Sequence, residues 1–285
     1  MDKIILGTAQ FGLDYGVSNK HGKTGPLEVS EILKLGNKLG IQELDTAPSY
    51  GDSEQILARN FSDDFLVNSK LIPCGRIQDV ISRLDESIQL FGKNINTIYI
   101  HDILDLNKSS YVEVLNRLYE LKEKGIIKRI GVSVYDEKGL DLVSKYLNPD
   151  VIQVPFNIYD NRFMNSSNIS SLTDTGCKIH IRSVFLQGLM LIPPNELPVK
   201  FNNIVDKQTA LYEYAYKCGY SIYYMCLLWV LSQEWAEKII VGINNLDQLK
   251  ELSEAVNKIE AEENNKVSFE RFSIDDLMVI NPVNW

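Results

Sequence analysis

Eight short apolar stretches, each followed by a segment with helical spacing of its apolar residues, alternate along the chain from Ile4 to Ile259. Alternation of this kind implies parallel strands joined by right-handed crossovers. Eight repeats predict an α/β fold closed into a (β/α)8 TIM barrel. The length of 285 residues suits one such barrel as a single domain over 1–285, and no stretch is long and unstructured enough to be a linker. Apolar residues at 45% and charged residues at 24% describe an ordinary globular chain.

The elements follow in order. Strand Ile4 to Leu6 leads into a Gly-bearing turn, Gly7-Thr8-Ala9-Gln10-Phe11-Gly12, and Leu27 to Leu39 is a helix by its apolar spacing. Leu39 to Leu44 is the second strand. It ends in Asp45 and a Pro-bearing turn that delivers Tyr50 and Gly51. Ser53 to Phe61 is a short helix, with Ser53 as its cap. Strand Phe65 to Ser69 then ends in Lys70, and helix Ile77 to Phe91 leads to strand Thr97 to Ile100, which ends in His101. Helix Tyr111 to Lys124 precedes strand Lys128 to Val132, which ends in Ser133, and helix Glu137 to Leu147 follows. In the second half, strand Val151 to Val154 stops at Pro155, which has no N–H for a ladder. Helix Asn168 to Thr175 stops at Gly176. Strand Lys178 to Val184 opens a Pro-rich loop reaching about Asn203. Helices Asp206 to Cys218 and Ile222 to Gln233, strand Lys238 to Val241 and helix Leu246 to Ile259 complete the cycle. The tail, 261–285, is charged and then apolar, and is expected to pack near a substrate pocket.

Composition narrows the classes of function. A net charge of −9 without a basic stripe argues against a nucleic-acid partner. The chain shows no basic-then-apolar leader and no apolar run of about 18 residues, so a cytoplasmic protein with no membrane partner is expected. Cys74, Cys177, Cys218 and Cys226 share no C-x-x-C spacing, and only His21, His101 and His180 could join them, so no metal site is expected. Cys177, Cys218 and Cys226 are read as small packing residues. The pattern leaves the oligomeric state open.

In a barrel of this kind the site lies at the C-terminal ends of the strands, where the βα loops converge. The second, third and fourth strand tips carry Asp45 with Tyr50, Lys70 and His101. Singly, an Asp before Thr and Pro is a turn former, a strand-end lysine is a solvated side chain, and a histidine after Ile98-Tyr99-Ile100 is a core residue. Together they form a proton-delivery set. A phenol titrates near pH 10 and is a poor donor at neutrality, so Lys70 is expected to lower the Tyr50 pKa, with Asp45 as the counter-ion of the ammonium. His101 would orient a carbonyl. Such a site protonates oxygen while a nicotinamide delivers hydride to carbon.

At these residues the chain resembles the aldo-keto reductases. The resemblance rests on Asp45-Thr46-Ala47-x-x-Tyr50-Gly51, on Lys70 after Val67-Asn68-Ser69, and on the run from Arg83 to His101, and it extends from Ile5 to about Leu252. It implies a catalytic tetrad of Asp45, Tyr50, Lys70 and His101 on a (β/α)8 barrel. It also implies cofactor contacts at Gly7, Thr8, Ser133 and Gln153, with Val134 standing where an asparagine is usual. Further contacts are implied along Arg182, Ser183, Phe185 and Gly188, and at the adenosine-phosphate loop by Gly242, Asn244 and Gln248. Arg182 replaces an aromatic ring, and a guanidinium also stacks on a flat ring. The phosphate loop lacks the usual Lys or Arg, so NADP(H) is the expected cofactor by family default and NAD(H) an alternative. Arg182 and the closing Asn281-Pro282-x-x-Trp285 resemble members tied to bacterial surface-polysaccharide biosynthesis.

The implied activity is NAD(P)H-dependent reduction of a small-molecule carbonyl, whether aldehyde, ketone or sugar-linked, with Tyr50 as proton donor. A nucleotide-binding regulatory or assembly subunit with little turnover is the alternative, motivated by Val134, Arg182 and the neutral phosphate loop.

Overall fold

The computed structural model describes residues 1–60, 62–73, 76–104, 111–262 and 269–285. Phe61 of the second predicted helix, Cys74 and residues 263–268 of the tail lie outside the described residues. The strands are β1 (Ile4–Gly7), β2 (Glu43–Asp45), β3 (Leu66–Lys70), β4 (Ile95–Ile100), β5 (Arg129–Ser133), β6 (Val151–Pro155), β7 (Lys178–Arg182) and β8 (Lys238–Gly242). They close in sequence order into one barrel. All neighbours are parallel, and β8 returns to β1 with Ile239 opposite Ile4 and Gly242 opposite Gly7.

Helices α1 (Ala9–Gly12), α2 (Pro26–Lys38), α3 (Ser53–Asn60), α4 (Ile77–Phe91), α5 (Tyr111–Glu123), α6 (Glu137–Tyr146), α7 (Ser167–Asp174), α8 (Val205–Cys218), α9 (Ile222–Leu231), α10 (Leu246–Ala261) and α11 (Leu277–Ile280) surround and extend it. No helix among the described residues is long and apolar enough to cross a membrane, and no group of three His, Cys, Asp or Glu among them could hold a metal ion.

The period-2 rule of a strand divides the barrel into two environments. Ile4, Leu6, Leu44, Val67, Ile98, Ile100, Ile152, Val154, Ile179 and Ile181 join the buried apolar shell with Val29, Ile32, Val80 and Leu84 of the helices. The alternate positions include Glu43, Asp45, Asn68, Lys70, Tyr99, Gln153 and His180, all buried. The apolar core is therefore a ring around the sheet, and the inside of the sheet is largely polar, with Ile5, Val151 and Ile240 as buried apolar members.

The strands and helices sit where the sequence places them, with local differences that have physical causes. β6 keeps Pro155 as its last residue opposite Arg182, because Phe156 N–H rather than a proline donor makes the next bond to the Arg182 carbonyl, at 3.1 Å. β7 ends at Arg182 rather than at Val184, since Ser183 turns to a left-handed φ of 62°. Ser53 does not cap α3; its hydroxyl donates to the Thr8 carbonyl at 2.9 Å and ties α3 to β1. Cys177 and Cys226 are buried as expected, whereas Cys218, at the last turn of α8, is exposed. The closing Trp285 packs edge-on against Phe201, with centroids 4.9 Å apart, and donates from Nε1 to the Met278 and Val279 carbonyls.

Candidate active site

The C-terminal ends of the strands open into a cavity of about 450 Å³, within the range that small-molecule sites occupy. Asp45, Tyr50, Lys70 and His101 line one part of it. Gly7, Thr8, Ser133 and Gln153 stand in its wall. So do Arg182, Ser183, Phe185 and Gly188 from the end of β7, and Gly242, Asn244 and Gln248 from the end of β8. One cavity thus gathers residues from strands that are far apart in sequence.

At its floor Lys70 Nζ lies 2.6 Å from Asp45 Oδ2, both side chains being about one-twentieth exposed. The ammonium also donates to the Thr46 carbonyl at 3.0 Å. The second Asp45 oxygen accepts from Gln153 Nε2 at 2.7 Å, so two partners from opposite sides of the barrel fix the carboxylate. Lys70 Nζ stands 5.0 Å from the centroid of the Tyr50 ring, in cation–π range.

The phenol behaves differently from the sequence expectation. Tyr50 is held far above the ordinary tyrosine value, first by burial and then by the negative charge of Asp45, with Arg182 pulling the other way. Lys70 does not lower it, since its charge is already matched by the touching carboxylate. Tyr50 therefore stands as a protonated acid. His101 is shifted down, first by burial and then by the Lys70 charge, so it is a neutral imidazole at neutral pH. Its Nδ1 is buried without a hydrogen-bond partner.

The turn carrying Tyr50 is held by two glycines. A Cβ on Gly12 would lie 1.8 Å from the Tyr50 carbonyl oxygen, and Gly51 has a φ of 60° with its own Cβ position 2.4 Å from the Gly12 oxygen. Backbone meets backbone here, which only glycine permits. Thr8, fully buried, bonds the Asp45 carbonyl at 3.0 Å and Ser53 Oγ at 2.9 Å, locking β1, β2 and α3 beneath this turn.

Below the floor a line of polar side chains crosses the barrel. Gln153, bonded to Asp45, also acts on Tyr99 and holds its pKa down against burial. Tyr99 Oη meets His180 Nδ1 at 2.9 Å, and His180 Nε2 meets Glu237 Oε2 at 3.0 Å. Arg129 donates to the same Glu237 oxygen at 2.8 Å. With Tyr99 donating to Nδ1, the remaining His180 N–H donates to the carboxylate. A side branch runs from Asn96 through Asn68 to Glu43 at 3.1 and 2.8 Å. Sequence reading weighed His180 only as a metal ligand and missed this line. The signal was available in the alternation Lys178-Ile179-His180-Ile181-Arg182, because strands covered on both faces by apolar groups read as continuous apolar runs.

A profile of the aldo/keto reductase family matches residues 3–268. The chain belongs to this family. Among curated proteins, D-arabinose 1-dehydrogenase of Saccharomyces cerevisiae is 28% identical over 162 residues, covering 52% of this chain and 47% of that enzyme. The chain thus matches about half the length of that relative. Among solved structures, the holo form of an aldo-keto reductase from Bacillus halodurans superposes with a TM-score of 0.72 at 19% identity, covering 95% of this chain and 90% of the other. A thermostable aldo-keto reductase solved with the inhibitor epalrestat gives 0.70 at 22% identity, with 95% of both chains covered. These two likenesses are of fold.

Aldo/keto reductases are oxidoreductases that generally use NAD(P)H, and the residues of this one fit a nicotinamide dinucleotide. Gln153 Oε1 is buried in the cavity wall without a partner, an acceptor that a carboxamide N–H would satisfy. Val134 offers no side-chain donor or acceptor beside it. At the far end of the cavity the N–H groups opening α10 are occupied by this chain's own side chains. Asn244 N–H donates to Gln248 Oε1 at 2.7 Å, Gln248 N–H to Asn245 Oδ1 at 2.9 Å and Leu246 N–H to the Glu28 carboxylate at 2.7 Å. Glu251 also lines this end. Tyr15, Tyr135 and Tyr223 complete the wall; all three were missed in the sequence because they sit in loops or a helix where one tyrosine looks like another.

The loop after β7 is unusual in its backbone. Ser183, Leu186 and Gln187 have φ values of 62°, 49° and 54°, followed by Gly188 at 87°. Left-handed non-glycine residues are strained and gather at functional sites. Asn157 Nδ2 holds the first of them through the Ser183 carbonyl at 3.0 Å.

Proposed function

We propose that this aldo/keto reductase reduces an aldehyde or ketone to an alcohol, with Tyr50 as the proton donor and Asp45, Lys70 and His101 as its supporting set. The observation that carries the reading is the 2.6 Å Lys70–Asp45 pair beneath a Tyr50 phenol held in its acid form. A bound NAD(P)H supplies the hydride in this chemistry. Tyr50 presents its proton to the carbonyl oxygen as negative charge develops there. Arg182 stabilises the phenolate as the proton leaves, and Lys70 holds the ring from 5.0 Å off its centroid. Asp45 is the counter-ion that touches Lys70 at the buried floor, and Gln153 keeps Asp45 aimed. His101 lines the cavity as a neutral imidazole, and an N–H turned to the cavity donates to the substrate oxygen without placing a second cation beside Lys70.

The α10 end supports use of NAD(H) at least as readily as NADP(H). A 2'-phosphate would need an anion-binding helix terminus, but a glutamate already caps Leu246 N–H and Glu251 adds a second carboxylate. The likeness of Arg182 and the Asn281–Trp285 ending to surface-sugar members supports a sugar-linked carbonyl as substrate. The tail would shape such a pocket indirectly, since Trp285 packs on Phe201 behind the loop whose Leu191 lines the cavity.

The test pairs binding with turnover. Tyr50→Phe is expected to bind NADH and NADPH as the wild type does, by fluorescence titration, and to lose turnover on an aldehyde panel by at least about 100-fold, the scale of general acid catalysis. Full activity in that variant overturns the role of Tyr50. Binding by the wild type with no turnover of any carbonyl favours a nucleotide-binding subunit instead. NADPH held more than tenfold tighter than NADH would refute the cofactor assignment.

A further inference from the structure

Cations that are partly or wholly buried in this protein are as a rule paired with acids. Lys70 meets Asp45 at 2.6 Å, Arg83 meets Glu54 at 2.6 Å, Arg129 meets Glu237 at 2.8 Å and Arg162 meets Asp160 at 2.8 Å. Arg182 departs from this pattern. It stands at the tip of β7, half-buried in the wall of the active-site cavity, and no carboxylate among the described residues lies within ion-pair distance of it. Its guanidinium lies 4.4 Å from the centroid of the Tyr135 ring. Nη1 donates to Ser183 Oγ at 3.2 Å, and Nη2 reaches the Val134 carbonyl at a long 3.5 Å. Nε is buried with no partner at all.

A guanidinium has five N–H donors in a rigid fork. Two are used here, both on neutral oxygens, so a charge and three donors are left over in the half-buried wall of the cavity. The tyrosine ring and the Ser183 hydroxyl hold the plane in place, which removes the entropy cost of ordering it later. A preorganised, unneutralised fork of this kind matches an oxyanion with two adjacent oxygens. Arg182 is also felt electrically at Tyr50, His101 and Tyr15, which places it at the reacting end of the cavity. Of the other basic groups lining the cavity, Lys70 is cancelled by Asp45 and Lys20 is paired with Glu196 at 3.6 Å, so neither supplies an unmatched charge in a protein whose overall charge is −9.

We infer that Arg182 is an anion subsite for the substrate, so that the physiological carbonyl compound carries a carboxylate or phosphate that the guanidinium holds while its C=O faces Tyr50. This rests on the reductase reading given above. The other oxyanion that enters such a cavity is the pyrophosphate of the dinucleotide, and the experiment separates the two sources.

The measured quantity is the ratio of kcat/KM for 4-carboxybenzaldehyde to that for benzaldehyde, in which any effect of a substitution common to both aldehydes cancels. The wild type favours the charged aldehyde, and the preference narrows as salt is raised. In Arg182→Gln the ratio falls about 10- to 100-fold, the range for a charge-assisted hydrogen bond. Arg182→Lys, which keeps the charge and loses the fork, lies between and serves if the glutamine variant does not fold. A ratio unchanged in both variants overturns the proposal. So does a Kd for NADPH weakened more than tenfold in Arg182→Gln with the ratio unmoved, since the guanidinium then serves the pyrophosphate. Isothermal titration with benzoate gives a readout free of turnover: binding to the wild type and its loss in Arg182→Gln support the subsite even if neither aldehyde is reduced, in which case the reductase reading alone fails.

Discussion

Lys70 is where charge and catalysis meet, and its removal separates the two. Lys70→Met leaves Asp45 buried with only the Gln153 amide as partner, and an uncompensated buried charge costs about 3–5 kcal/mol. Urea unfolding is expected to show a loss of that order, part of which returns in the double variant Asp45→Asn/Lys70→Met. Additive losses would mean that the pair contributes nothing as a pair. Asp45, Tyr50, Lys70 and His101 were legible as a set because each ends a strand or the turn after it, and the position of a strand end can be read from apolar runs. The protonation of Tyr50 was not legible. It depends on how deeply the ring is buried and on Asp45 touching Lys70 closely enough to cancel it, neither of which is written in spacing.

Between elements, the turn bearing Tyr50 depends on α1 approaching it to backbone contact. Gly12→Ala places a Cβ 1.8 Å from the Tyr50 carbonyl and 2.6 Å from Ser53 N, so the turn must move. A shift of about 1 Å in a catalytic group lowers turnover about 100-fold. Steady-state kinetics should show that loss, with NADH affinity changed much less. Gly25→Ala, at a glycine with open space around its Cβ position and an ordinary φ of −69°, is the control and should behave as wild type. If the two variants behave alike, the close approach does not position Tyr50. The order of the eight strands and of the nine longer helices among the described residues could be read from the chain to within a few residues, whereas the four-residue helices α1 and α11 could not. The end of β7 could not, because Ser183-Val184-Phe185 continues the apolar pattern while the backbone turns left-handed at Ser183. The strain is imposed by the loop's packing along the cavity and not by local preference.

Across the whole molecule, the polar line through the barrel joins the site to the opposite end of the strands, where Glu237 precedes β8. Glu237 is lowered to about 2, first by its hydrogen bond from His180 and then by Arg129, against the effect of burial. A carboxyl whose folded pKa is depressed stabilises the protein above its ordinary value and loses that contribution as pH falls through the folded one. Wild type should therefore exceed Glu237→Gln in stability by about 1–2 kcal/mol at neutral pH, after allowance for partial exposure. The gap should close between about pH 4.5 and about pH 2. Urea midpoints taken across that range are the check, and a gap that persists at pH 2 would assign the loss to packing. The barrel was legible from its alternation, while its polar interior was not, because pairs such as Tyr99 with His180 join strands that are not neighbours.

That interior also bears on temperature. Exposing apolar surface raises the heat capacity of unfolding, and exposing polar surface lowers it. In this barrel the inner column of Glu43, Asn68, Tyr99, Gln153 and His180 subtracts from what the apolar ring outside the sheet contributes. The stability curve is accordingly flatter than that of a barrel filled with Val, Ile and Leu. Cooling weakens such a fold less steeply, because its centre is held by bond enthalpy rather than by the release of water.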